Sequence, residues 1–102
     1  MPSVVTARQE WEQGSRRLDD LRGDRRLYAR LLHDVELVTD ELQRRFGAGF
    51  TLQELAAAYE RAEDWTRHIL EERGAPGWPT RLTTVLDAAF HSYARGAVDY
   101  QP

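Results

Sequence analysis

The sequence predicts an all-α protein, in which residues 1–102 form a single domain, a four-helix bundle built on a long antiparallel helical hairpin. Apolar residues recur every three or four positions over long stretches, which is the spacing of one helix face. Helix-capping residues precede these stretches and glycines follow them. No run alternates apolar and polar residues as a half-buried strand would. The predicted helices cover approximately residues 6–21, 24–46, 51–73 and 80–95.

The first predicted helix begins at Thr6, which forms a capping-box pattern with Gln9. Its apolar face consists of Val4, Ala7, Trp11 and Leu18. Gly14 lies inside this helix and destabilises it by up to about 1 kcal/mol relative to alanine. Gly23 and Asp24 then supply a stop and a new N-cap, although one kinked helix through both segments is an alternative.

The second and third predicted helices form the hairpin. The second helix has the most regular apolar stripe, made of Tyr28, Leu31, Val35, Val38 and Leu42. It ends at Gly47 and Gly49, and Thr51 with Glu54 forms the capping box that starts the third helix. The third helix is predicted to continue without interruption to Arg73. Because only about four residues connect the two helices, they must fold back antiparallel to each other.

The fourth predicted helix follows a stiff Pro- and Gly-containing turn at residues 75–79. Thr80 is its expected N-cap and Gly96 its stop. Its predicted inward face consists of Leu82, Val85, Leu86, Ala89 and Tyr93. Four helices of this kind are sufficient for one modest hydrophobic core.

Composition narrows the functional classes. All 14 basic residues are arginines, which indicates the codon usage of a GC-rich bacterial genome, and the net charge of −3 gives no overall positive field for a nucleic-acid backbone. The chain has no cysteine and no apolar run near the roughly 18 residues of a membrane span. The N-terminus lacks the pattern of a secretory signal, so we expect a cytoplasmic protein that does not enter membranes.

The chemistry-bearing residues do not form a recognisable active site. His33, His68 and His91 are each predicted on the solvent side of their helices, opposite the apolar stripes. No glycine-rich phosphate loop and no nucleophile–base pair at a known spacing is present. We therefore expect no enzymatic activity, no metal and no cofactor.

The segment from Thr51 to Leu70 resembles a bacterial helix-turn-helix element. Leu55 and Ala56, followed by residues 65–70, match the spacing of such elements over about twenty residues. The chain departs from the pattern at the turn, where it has Glu60 and Arg61 in place of glycine and an apolar residue. The resemblance implies a small acidic DNA-binding regulator, which is the second functional hypothesis.

The first hypothesis is a non-enzymatic helical interaction or accessory module that docks on another protein or on itself. Tryptophan, tyrosine and arginine are enriched at the energetic centres of protein interfaces. The predicted partner-binding residues are Trp65, Ile69, Trp78, Phe90, Arg95 and Tyr100. A homodimer through Trp65 is slightly favoured because symmetric pairs are the commonest soluble oligomers. A ligand-binding domain or an enzyme subunit is the third hypothesis.

Overall fold

A computed structural model describes residues 3–74 and 81–102. Those residues form five helices: α1 (Val4–Asp19), α2 (Arg25–Phe46), α3 (Leu52–Tyr59), α4 (Ala62–Arg73) and α5 (Leu82–Ala94). The described ranges contain no strand, so the predicted all-α class is confirmed. None of these five helices combines the length and the apolar character that crossing a membrane would require.

Local capping explains where three of the helices begin. The hydroxyl of Ser3 accepts a hydrogen bond from the backbone N–H of Thr6, so the N-cap of α1 lies three residues before the predicted N-cap, Thr6. Asp24 caps α2 in the predicted way, and this cap makes α1 and α2 separate helices. Thr51 and Glu54 form the predicted capping box at the start of α3.

The prediction of one uninterrupted helix over residues 51–73 is wrong. The chain leaves the helix after Tyr59 and re-enters it at Ala62, and Arg61 has the non-helical angles φ −112° and ψ 6°. Neither Glu60 nor Arg61 is a residue that breaks helices by itself. The break arises because α3 and α4 each pack on α5, and tertiary packing overrides local propensity.

Helix α5 is the centre of the fold, and this differs from the prediction of a bundle organised around the hairpin. It contacts all four other helices and packs most extensively on α1 and α2. Residues 84–90 are buried one after another, so α5 is enclosed on every side and not along a single stripe. The predicted stripe of α2 is confirmed at Leu31, Val38 and Leu42, which are buried against this core.

Gly14 lies where α1 packs closely against α5. A Cβ atom placed on Gly14 would lie 2.2 Å from the Cβ of Asp87 and 3.1 Å from the backbone nitrogen of Ala88. Real carbon atoms do not approach to such distances without moving their neighbours. The glycine that looks like a weakness of α1 in the sequence is therefore required by the packing of the helix.

The C-terminal residues that follow α5 close one end of the bundle. The backbone N–H of Val98 donates to the carbonyl of Phe50 at 2.9 Å. The carboxylate of Asp99 accepts from the backbone N–H of Leu52 at 2.9 Å. These bonds fix the start of α3 and thereby the direction in which α3 and α4 leave α2.

Candidate functional site

An apolar groove lies where the C-terminal end of α2 meets α3 and α4. It encloses about 250 Å³ and is lined by Arg45, Phe46, Ala58, Arg61 and Trp65, and is called the Trp65 groove below. Trp65 lies in the first turn of α4 and is only half-buried. The groove therefore exposes part of a large aromatic ring at the junction of three helices.

Arg45 is fixed on one wall of the Trp65 groove. Its guanidinium carbon lies 4.6 Å from the centre of the Trp65 ring, which is a cation–π distance. Its Nε donates to a carboxylate oxygen of Glu41 at 2.7 Å, and Glu41 also pairs with Arg44. Hydrogen bonds from Arg44 and Arg45 lower the pKa of Glu41, although partial burial opposes that shift. Glu41 therefore stays ionised and offsets positive charge on this wall.

Arg61 also lines the Trp65 groove. It follows Glu60 in the connection between α3 and α4, and both residues are exposed. Its guanidinium makes no hydrogen bond or ion pair with any residue in the described ranges. The Trp65 groove thus combines an apolar floor with an arginine that pairs with no other described residue.

The outer face of α4 has the opposite sign. Glu63 and Asp64 are both exposed there, and Arg67 pairs with them at 3.1 Å and 3.4 Å. His68 lies 3.1 Å from Glu72 one turn further along the helix. In a helix-turn-helix element this face would enter the DNA groove, where its carboxylates would oppose the phosphates.

The structure does not place the predicted partner-binding residues on one surface. Trp65 lies in the groove, but Ile69 is 8% exposed and Phe90 0% exposed, so neither offers a surface for docking. Phe90 packs in the core against the ring of Trp11 at a centroid distance of 5.8 Å. Trp78 lies outside the described residues.

The remaining two predicted residues, Arg95 and Tyr100, do not line the Trp65 groove either. Tyr100 lies beneath the guanidinium of Arg8 at 5.0 Å, and Arg8 also donates to the carbonyl of Gln101 at 2.9 Å. Tyr100 therefore attaches the C-terminal tail to α1. Arg95 is exposed and lines a different cleft, between α1, α2 and α5.

A buried polar cluster around Asp87 was not anticipated from the sequence. Asp87 is 3% exposed, and its two carboxylate oxygens accept hydrogen bonds from Tyr59 Oη at 2.5 Å and from Arg17 Nη2 at 3.1 Å. Burial raises the pKa of Asp87 despite these donors, and burial with the bond to Asp87 raises the pKa of Tyr59. The cluster connects α1, α3 and α5. An aspartate within the apolar run of α5 is the signal that could have revealed it.

Two of the three histidines are exposed as predicted, namely His33 and His68. The prediction is wrong for His91, which is half-buried between α5 and its neighbours. Burial, followed by the nearby charge of Arg95, lowers the pKa of His91. Within the described ranges no group of three or more potential ligand side chains is placed to hold a metal ion.

Comparison of the chain with protein-family models, with curated proteins and with solved structures finds no match.

Proposed function

We propose that this chain is a non-enzymatic helical interaction module whose Trp65 groove accepts an acidic amphipathic helix of a partner protein. The observation that carries the proposal is the guanidinium of Arg61, which pairs with no other described residue, beside an exposed apolar groove. Amphipathic helices commonly dock by placing their apolar face in a hydrophobic groove of this kind. Tryptophan and arginine are also the residue types that most often dominate interface energies.

The apolar floor would supply the anchoring contact. Phe46, Ala58 and Trp65 line a volume of about 250 Å³, which is enough for one or two aliphatic side chains. Full burial of a leucine or isoleucine side chain stabilises a complex by roughly 1.5–3 kcal/mol. The partner therefore needs apolar residues three or four positions apart on one helix face.

The charge of Arg61 determines whether the partner helix should be acidic or basic. A carboxylate beside the apolar face would pair with Arg61, whereas a basic residue would meet like charge. A second copy of this chain is the less favourable occupant, because a symmetric contact centred on the groove would bring Arg61 and Arg45 close to their own counterparts. The homodimer predicted from the sequence is therefore an alternative that the experiment below distinguishes.

A DNA-binding regulator is a second candidate, and one observation favours it. The break between α3 and α4 falls at Glu60 and Arg61, where the helix-turn-helix resemblance requires a turn. The acidic outer face of α4, with Glu63 and Asp64, argues against it because it would repel phosphates. Docking in the Trp65 groove uses its apolar floor and Arg61, and not the acidic outer face of α4.

The proposal is tested by titrating isotope-labelled protein with two synthetic helical peptides of about 15 residues, a length at which helices become marginally stable alone. Both carry leucines on one face; one has glutamates beside them and the other has lysines. The indole N–H resonance of Trp65, assigned with Trp65→Phe, reports binding. We expect the glutamate peptide to shift this resonance and the lysine peptide to leave it unchanged.

Two charge-reversal variants supply the matched comparison. Arg61→Glu should weaken binding of the glutamate peptide, whereas Arg26→Glu should not, since Arg26 is exposed about 28 Å away along α2 at 1.5 Å per residue. No shift with the glutamate peptide, or equal loss in both variants, would contradict the proposal. A peptide-free dimer that Trp65→Ala dissociates in sedimentation would replace it with self-association. Sequence-selective binding of duplex DNA would favour the regulator.

A further inference from the structure

We propose that a second cleft, between α1, α2 and α5, binds a small aliphatic carboxylate, with Arg95 as the residue that holds the carboxylate group. This Arg95 cleft encloses about 240 Å³ and shares no residue with the Trp65 groove. The Arg95 cleft is therefore a separate site from the docking groove.

The floor of the Arg95 cleft is aliphatic. Leu18 and Ala88 are buried beneath it, and Val35 is half-buried beside them. Leu32 forms the outer wall and is 40% exposed; with Val5 and Val98 it is one of three exposed large apolar side chains among the described residues. An aliphatic chain lying in the cleft would cover Leu32. The volume is below the roughly 300 Å³ at which pockets for drug-sized ligands begin, so the ligand must be small.

The charge at the edge of the cleft determines the head group. Arg95 is exposed immediately after α5 and forms no ion pair with another described residue. The two carboxylates whose charges act on His91 have other partners: Glu12 pairs with Arg16 at 3.9 Å, and Asp19 pairs with Arg22 at 3.3 Å. The charge of Arg95 is therefore available to an external anion.

The neighbouring polar groups favour one carboxylate over a dianion or a cation. His91 lies one helical turn before Arg95 on the same edge, and Ser15 and Ser92 place hydroxyl groups there. Burial and Arg95 lower the pKa of His91, so its imidazole is neutral near pH 7 and contributes an N–H donor without a second full charge. One guanidinium with neutral donors around it matches a monocarboxylate, and it would repel an ammonium group.

Hexanoate is the probe, with hexanol, hexylammonium and acetate as controls for its head group and chain. Titrations are followed by the backbone amide resonances of Leu32, His91 and Ser92. We expect saturable shifts with hexanoate, and weaker binding of acetate and hexanol because each lacks one half of the contact. Hexylammonium should not bind.

Arg95→Gln is expected to weaken hexanoate binding about tenfold, the usual effect of losing a hydrogen bond to a charged group. Arg81→Gln is the matched control, because Arg81 is exposed about 20 Å away at the other end of α5. Trp65→Ala should leave hexanoate binding unchanged, which separates this site from the docking groove. Absence of saturable shifts, equal binding of hexanol and hexanoate, or unchanged affinity in Arg95→Gln would overturn the proposal.

Discussion

Replacing Gly14 with alanine should destabilise the protein although alanine is the better helix former. Gly14 lies in the middle of α1, where a gain of about 1 kcal/mol in helix propensity would normally be expected. In the structure, the added methyl group would lie 2.2 Å from the Cβ of Asp87 and 3.1 Å from backbone atoms of α5. Packing against the partner helix therefore opposes propensity at this position.

The magnitude follows from these distances. Non-bonded carbon atoms are in favourable contact at about 3.5–4.0 Å, so α1 and α5 would have to separate by more than about 1 Å. Overpacking of a core typically costs about 1–3 kcal/mol, and this one also strains the hydrogen bonds of Asp87 with Tyr59 and Arg17. After the gain in propensity, we expect a net loss of about 2 kcal/mol. For a domain of this size the melting temperature should fall by about 10 °C.

Urea unfolding of the wild type, Gly14→Ala and Gly23→Ala measures this effect. Gly23 is the matched control because a Cβ there would meet no atom within 4 Å. Its replacement should be neutral or should stabilise the protein by up to about 1 kcal/mol through the unfolded chain. If Gly14→Ala were as stable as the wild type, this result would contradict the close packing of α1 against α5.

Three other perturbations test the core, the buried polar cluster and the half-buried histidine. Leu42→Ala should lower the free energy of unfolding by roughly 2–5 kcal/mol in urea melts, and a loss under about 0.5 kcal/mol would contradict its burial. Tyr59→Phe should cost about 1–3 kcal/mol by removing a donor to buried Asp87; an unchanged melt would show that this bond contributes little. Folding lowers the pKa of His91 from its ordinary value of 6.5. As the pH falls, the unfolded state therefore takes up this proton at a higher pH than the folded state does. Stability should therefore decline as the pH falls through that range, and less in His91→Gln; identical pH profiles would refute this.

The parts of the fold that depend on local signals were predictable. The capping box of Thr51 and Glu54 lies within one turn, so the residues themselves specify where α3 begins. The stripe through Leu31 and Leu42 follows helical spacing, and both residues are buried. Such features depend on neighbours three or four positions apart and not on the rest of the molecule.

The features that were missed depend on contacts across the chain. The break after Tyr59 has no glycine or proline to announce it, and it arises where α3 and α4 pack separately on α5. The buried pairing of Asp87 could not be predicted from α5 alone, because α5 is enclosed by the other helices and this carboxylate accepts hydrogen bonds from residues of α1 and α3.

The candidate surface was predictable only in part. Trp65 was predicted to bind a partner, and it does line a groove with Ala58. Ile69 was predicted beside it but is buried. The position of Arg61 at the edge of the groove depends on the break after Tyr59, so the prediction of one continuous helix could not include it.

The most direct test of the docking proposal is a charge-exchange cycle between Arg61 and the partner peptide. Affinities are measured for the wild type and Arg61→Glu, each with the glutamate peptide and with the lysine peptide. Direct recognition of a carboxylate by Arg61 predicts that the wild type prefers the glutamate peptide and that Arg61→Glu prefers the lysine peptide. The two changes should thus be strongly non-additive, as expected for groups in contact. Equal effects of Arg61→Glu on both peptides would contradict the proposed groove as the site of an acidic partner helix.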